Sequence, residues 1–199
     1  MTLTDETRID HAAARKAMID SQLRTSGVNE AFVLSRMAVV PREDFVPAEA
    51  RGFAYMDRAV PLGEGRFLPA PVFHGAMLAE ARPRANDRVL VVDGGSGYLA
   101  ELVRPMVETV AVVDPRSGAA GDSDGTFTLI LVDGAIEQVP ADLAALVEPD
   151  GRIVTGVVER GVTRLATGRH SGTGIALLPL AEMGIPRLAA FDRPARWNF

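Results

Sequence analysis

The chain has 199 residues, 47% of them hydrophobic, with a formal net charge of −5 at neutral pH. That length and apolar content suffice for one compact domain, and the interspersed acids and bases lack the clustered Lys/Arg face that nucleic-acid binding requires. There is no cysteine, which excludes disulfides and thiolate metal sites, and the three histidines (His11, His74, His170) are too scattered for a metal ligand set. The segment from Met1 to Arg8 is acidic and has no apolar signal core, and no stretch approaches membrane-spanning length, so the expected address is the cytoplasm with no membrane partner.

In chain order, Ile9, Ala12, Ala13, Met18, Ile19 and Leu23 follow helical spacing, which predicts an amphipathic helix over Thr7 to Thr25 stopped by Ser26-Gly27. Asn29 offers an N-cap for a short helix to Met37, closed by Pro41, after which Arg42 to Ala59 reads as irregular. Pro61 to Pro71 contains three prolines and two glycines interleaved with apolar residues, the mark of an ordered covering loop. A helix over Val72 to Ala81 follows. The expected layout is one domain over 1–199, with a helical preface (1–60), the covering loop and helix (61–84) and an α/β sheet (85–199).

Beyond Asp87, strands and helices alternate: strands at Val89 to Val92, Thr109 to Val113, Leu129 to Val132 and Ile153 to Val157, with helices at Tyr98 to Val107 and Ala141 to Val147. Continuous β-branched runs separated by helices predict a parallel sheet covered on both faces. Val162 to Thr167, Gly174 to Leu180 and Leu188 to Phe191 read as further strands forming an antiparallel edge, and Ser117 to Gly125 as a surface loop. Asp93-Gly94-Gly95-Ser96-Gly97 follows the first strand and opens a helix, the place where backbone N–H groups meet a nucleotide-like ligand. Asp114, about twenty residues on at the end of the next strand, suits a ribose. The same residues also read as a tight strand-to-helix connection and a turn before Pro115.

Met18-Ile19-x-x-Gln22-Leu23, Gly27-Val28, Val40-Pro41-Arg42-Glu43-x-Phe45-Val46-Pro47, Ala54-Tyr55-x-Asp57, Pro61-Leu62-Gly63-x-Gly65, Gly95-Ser96-Gly97-Tyr98, Val139-Pro140-x-x-Leu143 and Gly151-Arg152-Ile153-Val154 occur in this order. In these residues the chain resembles the protein-L-isoaspartate O-methyltransferases. The resemblance implies a class I S-adenosylmethionine-dependent methyltransferase fold, a Rossmann-like α/β sheet preceded by N-terminal helices. It implies methylation of isoaspartyl carboxylates in damaged proteins, with S-adenosylmethionine as cofactor and isoaspartyl proteins or peptides as partners. The acceptor carboxylate is already ionised near neutral pH, so no general base is needed and no catalytic residue is singled out.

Three departures from the family pattern stand out. Where the family's loop usually reads Gly-Gln-Thr-Ile-Ser-x-Pro, this chain has Gly65-Arg66-Phe67-Leu68-Pro69-Ala70-Pro71, without the two hydroxyls. Where the first-strand motif usually reads Glu-x-Gly-x-Gly-x-Gly, this chain has Val91 and Asp93 in place of the acid and the first glycine. Between Asp114 and Leu129 a helix, an edge strand and an acidic loop are missing, which implies a cofactor site open on one side. The candidate substrate-binding residues are Gly65, Phe67 and Pro69. The candidate cofactor-binding residues are Asp93, Gly94, Gly95, Ser96, Gly97, Tyr98, Asp114 and Asp133, with Asp133 alternatively a turn residue beside Gly134. Tyr55 reads as structural, His74 as a partly buried helical residue, and Phe67 alternatively as a space filler. The aromatic end from Arg193 to Phe199 is expected to dock onto the sheet. Two functional readings result: the family's own reaction, or a catalytically silent member acting as a binding or regulatory protein.

Overall fold

The computed structural model describes residues 10–118, 125–171 and 174–193. Residues 7–9 of the first expected helix, 119–124 of the expected surface loop and the aromatic end 194–199 lie outside the described residues. Helix α1 (His11–Met18) is capped by Asp10, whose side chain accepts from the Ala13 N–H at 3.0 Å, and it runs on through a π turn (Ile19–Leu23) and a 3-10 turn (Arg24–Ser26). Helix α2 spans Ala31–Val39 with Glu30, not Asn29, at its N-cap position; the Asn29 N–H donates instead to Glu30 Oε2. The stretch expected to be irregular holds two 3-10 turns, Arg42–Phe45 and Ala48–Phe53.

The expected covering loop is a hairpin: β1 (Val60–Gly63) pairs antiparallel with β2 (Arg66–Leu68). Helix α3 (Pro71–Ala81) follows with Pro71 in its first turn, where a missing N–H has no partner to lose. It is buried on most sides, as expected for a helix wedged between the N-terminal segment and the sheet.

The sheet contains β3 (Arg88–Val92), β4 (Thr109–Val113), β5 (Phe127–Ile136), β6 (Val147–Glu159), β7 (Val162–Ser171) and β8 (Gly174–Glu182) in the spatial order β4-β3-β5-β6-β7-β8. The first four are parallel, and β7 and β8 turn back antiparallel at the far edge. Helices α4 (Tyr98–Val103) and α5 (Ala141–Ala145) complete the crossovers. Among the described residues no strand lies beyond β4, in keeping with the missing edge unit. Alternation of side chains sends Val89, Val91, Leu129, Leu131 and Val154 to the face covered by α2, α3 and α4. Leu90, Val92, Ile130, Val132 and Ile153 go to the face covered by α5 and Phe191. All ten are fully buried, each contributing about 1.5–3 kcal/mol, which explains the unbroken apolar runs of these strands.

The strand expected at Leu188 to Phe191 is absent. Arg187 makes a single parallel bridge to Ala135, and Ala189–Phe191 forms a 3-10 turn. Pro186 has no N–H for a ladder, and the Leu188 side chain sits where a Cβ on Gly134 would lie, 2.6 Å from Leu188 Cγ. At the amino ends of the strands, Arg152 pairs with Asp87 at 2.6 Å, and Asp87 also accepts from the Thr128 hydroxyl (2.8 Å) and the Arg84 N–H (2.7 Å). No helix among the described residues is long and apolar enough to cross a membrane.

Candidate functional site

The carboxyl ends of β3, β4 and β5 open onto a crevice of about 150 Å³. It is walled by the hairpin tip, the glycine turn after β3, the Asp114–Arg116 turn after β4, Asp133 in β5 and the segment 186–190. Asp133 falls where the β5–β6 register slips between Leu131 and Ala135, an irregularity that re-aims side chains next to sites.

The glycine turn is closed from within. Asp93 Oδ2 accepts from the Gly95 N–H at 3.0 Å and Oδ1 from the Gly97 N–H at 2.9 Å, so two donors that would face a ligand serve a side chain of the turn itself. Burial and the nearby Asp133 push the Asp93 carboxyl up, against the pull of these two donors. A Cβ on Gly94 would lie 2.6 Å from the Asp133 carbonyl oxygen, so only glycine lets this turn rest on β5. A Cβ on Gly95 would lie 2.6 Å from Arg66 Cδ: the Arg66 side chain covers the open face of the turn.

Six of the expected site residues line the crevice: Gly65, Phe67, Asp93, Gly94, Asp114 and Asp133. Gly95 lies beneath Arg66. Ser96 Oγ accepts from the Tyr98 N–H at 3.1 Å at the head of α4. Gly95, Ser96, Gly97, Tyr98 and Pro69 do not line the crevice, and the last two are turned away into the protein. Tyr98 is fully buried, packed edge-on to Phe45 and His74. Pro69 is turned toward the core, its carbonyl accepting from Arg42 at 2.7 Å. Asp114 accepts from the backbone N–H of Arg116 and pairs with its guanidinium at 2.8 Å, which together hold its carboxyl below the usual range.

Beneath the crevice lies a buried polar chain that sequence reasoning missed. Arg42, fully buried, donates to the carbonyls of Ala54 (2.8 Å) and Pro69 and to His74 Nδ1 (3.1 Å), with its guanidinium 4.8 Å from the centre of the Tyr98 ring. Arginine can only donate, so Nδ1 is the unprotonated nitrogen and Nε2–H points at Asp133 Oδ1, 2.7 Å away. His74 is therefore neutral, and burial pushes its pKa down against the pull of Asp133. His74 and Asp133 both have side chains at 0% exposure, and Asp133 Oδ2 has no hydrogen-bond partner. His74, read from sequence as a partly buried helical residue, is this chain's middle link. Helical spacing gives no sign of it, because the partner comes from β5, fifty-nine residues away. Tyr55 is structural as expected: its hydroxyl receives Arg15 Nε at 2.7 Å and donates to Glu43, and burial raises its pKa far above the usual range.

A second, apolar groove of about 640 Å³ runs along the other side of the hairpin past Asp57, Phe73 and Met183, and shares Phe67 and Pro186 with the crevice. A larger groove of about 1020 Å³ at the carboxyl end of β6 holds none of the expected residues.

Residues 13–117 match the family model described as protein-L-isoaspartate(D-aspartate) O-methyltransferase. The chain is 34% identical over 189 residues to the protein-L-isoaspartate O-methyltransferase of Roseiflexus sp. (strain RS-1), covering 82% of this chain and 86% of the relative. It is 34% identical over 208 residues to that of Methylorubrum extorquens (strain PA1), covering 92% and 86%. The fold superposes with a TM-score of 0.71 on a Plasmodium falciparum beta-aspartate methyltransferase solved with S-adenosyl-L-homocysteine, at 16% identity over 90% of this chain and 98% of that one. The sheet is thus a class I methyltransferase sheet, and the chain belongs to the protein-L-isoaspartate O-methyltransferase family.

Proposed function

We propose that the protein is an S-adenosylmethionine-dependent methyltransferase acting on isoaspartyl carboxylates of polypeptides in the cytoplasm. The observation that carries this reading, beside family membership, is the meeting of two cavities at Phe67 and Pro186: a polar crevice at the carboxyl ends of the strands and an apolar groove along the hairpin. A methyl donor and a peptide acceptor need such an arrangement, since the transfer demands alignment more than acid–base help. None of the comparisons favours a catalytically silent member.

The crevice residues fit the cofactor. Gly95 has no side chain of its own, and the atoms nearest the turn's open face belong to Arg66, a flexible side chain whose nearest atom to that face is Cδ. Asp133 supplies a buried carboxylate oxygen with no partner. At about 150 Å³ the crevice is below the usual 300–1,000 Å³ of ligand sites, and moving Arg66 aside enlarges it. When bound, S-adenosylmethionine supplies a methyl whose C–S bond breaks, leaving its electron pair on sulfur, as a carboxylate oxygen forms the new C–O bond; no proton has to move. Asp114 would hold the ribose, and Gly94 and Asp93 the floor of the crevice. Phe67 and Pro186 line both cavities and would flank the point where donor and acceptor meet.

Transfer of labelled methyl groups to an isoaspartyl peptide, compared with its aspartyl counterpart, tests this. Label on the isoaspartyl peptide alone is the expected result; no transfer to either peptide at saturating cofactor would overturn the proposal.

A further inference from the structure

We propose that Arg58 binds the acceptor carboxylate, so that the apolar groove takes polypeptides presenting a free carboxylate and lets go of the methyl ester. The inference rests on the groove being the acceptor site and adds to it a residue outside the glycine turn, the hairpin and the buried polar chain.

Arg58 lines the groove just before β1, and Phe67, where the groove meets the crevice, pairs with Pro61 of that strand. The turn that carries Arg58 is anchored. Ala54 and Tyr55 are buried, and the Tyr55 carbonyl accepts from Gln22 at 2.8 Å. The Met56 N–H donates to the Phe53 carbonyl (3.0 Å) and the Arg58 N–H to the Met56 carbonyl (2.8 Å). The Arg58 guanidinium packs 5.2 Å from the centre of the Phe53 ring. A guanidinium resting on a ring keeps its N–H edge free and has already given up part of its conformational freedom, which suits a planar, bidentate partner such as a carboxylate.

The chemistry of the groove calls for such a group. Its lining is mostly apolar, with Phe67, Val72, Phe73, Met183 and Ile185, and a carboxylate entering it gives up water, a cost that only a hydrogen-bonding or cationic partner offsets. The two hydroxyls usual in the family's loop are absent, with Phe67 and Pro69 in their places. The Thr163 hydroxyl, which does line the groove, is spent on the Met183 carbonyl (2.6 Å) and the Ile185 N–H (3.1 Å). Among the described residues, four arginines line the two cavities, and three of them already hold an acid: Arg66 with Glu64 (3.3 Å), Arg116 with Asp114 (2.8 Å) and Arg187 with Glu137 (2.7 Å). Arg58 has no acidic partner among the described residues, and the adjacent Asp57, which also lines the groove, does not pair with it.

Transfer changes the charge that Arg58 meets. As the carboxylate oxygen forms its C–O bond, the C–S bond breaks and leaves its electron pair on sulfur, so the acceptor arrives as an anion and departs as a neutral ester. A guanidinium holds the anion more tightly than the ester. Because the charge it binds fades toward the transition state, Arg58 contributes to capture of the acceptor and release of the product, and little to the rate of the bound complex.

The test is steady-state methyl transfer to an isoaspartyl peptide by the wild-type protein, Arg58→Gln and Arg58→Lys at saturating S-adenosylmethionine. Arg58 is exposed, so both variants are expected to fold, which thermal melting checks. The expected result is a rise of about tenfold in the KM for the peptide in Arg58→Gln with kcat within about twofold, and partial recovery in Arg58→Lys, which keeps the charge. Added salt should raise the wild-type KM and leave that of Arg58→Gln nearly unchanged, because only the wild type has a charge to screen. An unchanged KM, a fall in kcat alone, or a salt response in Arg58→Gln equal to that of the wild type overturns the inference. If the wild-type protein transfers no methyl group, the proposed activity fails, and calorimetric titration with the same peptide decides Arg58 separately. Binding about tenfold weaker in Arg58→Gln then supports the inference, and equal binding, or none by either protein, overturns it.

Discussion

Asp93 reaches over four residues to accept the Gly97 N–H at 2.9 Å while its other oxygen takes the Gly95 N–H, so a side chain that departs from the family motif takes up two N–H groups of its own turn. In the family pattern a glycine stands here, which has no side chain to accept these N–H groups. In this chain the carboxylate is their acceptor before any ligand arrives.

Replacing Asp93 by alanine is expected to leave those two N–H groups unpaired without altering the core. Each hydrogen bond is worth about 1 kcal/mol, so amide exchange at Gly95 and Gly97 should accelerate about fivefold relative to α3. Exchange measured by NMR checks this, and unchanged protection of both amides would show that other groups hold the turn.

Arg66 covers Gly95 and is tethered by a mostly exposed pair with Glu64 at 3.3 Å. Such pairs contribute about 0.2–1 kcal/mol, so Arg66→Ala should tighten S-adenosylmethionine binding by roughly two- to fivefold, read by calorimetry. Weaker binding in the variant would mean that Arg66 contacts the ligand instead of giving way to it.

The buried His74 sets a pH dependence. In the folded protein its pKa is pushed below the usual value, chiefly by burial, while in the unfolded chain it titrates near about 6.5. Below that pH the unfolded state takes up a proton that the folded state refuses, so the stability contributed by the neutral ring is complete above about pH 6.5 and is lost as pH falls toward the folded value. The slope cannot exceed about 1.4 kcal/mol per pH unit. Urea unfolding between pH 7.5 and 5.5 should show this loss in the wild type and a flatter profile in His74→Gln.

At the opposite end of the sheet, Arg152 is the chief partner of the buried Asp87 and also donates to the Ala81 carbonyl at 2.8 Å. Arg152→Met removes one partner of a buried pair and is expected to cost about 3 kcal/mol in stability. Because the pair lies far from the crevice, the affinity for S-adenosylmethionine measured well below the melting temperature should stay within about twofold. A large loss of affinity with intact stability would contradict this division of labour.

The parallel strands were legible because each is buried on both faces and so reads as an unbroken apolar run, as in Val89 to Val92. The glycine turn was legible because few other residues fit its backbone. The hairpin of Val60–Leu68 was read as a loop, since its pairing spans only a few residues rich in proline and glycine. The strand expected near Leu188 failed for a non-local reason: Pro186 and the seat of Leu188 on Gly134 stop the pairing after one bridge.

What the sequence by itself determined is the run of parallel strands and the family, because periodicity and ordered motifs are properties of neighbours along the chain. What only the tertiary structure decided is how charge is arranged at the crevice. That Arg66 lies on Gly95, and that Arg42, His74 and Asp133 form one line ending at an unpaired oxygen, depend on side chains from different elements meeting, the latter three in the buried interior. There a hydrogen bond gains strength and an unmatched charge becomes costly, and no spacing along the chain records which partners will meet.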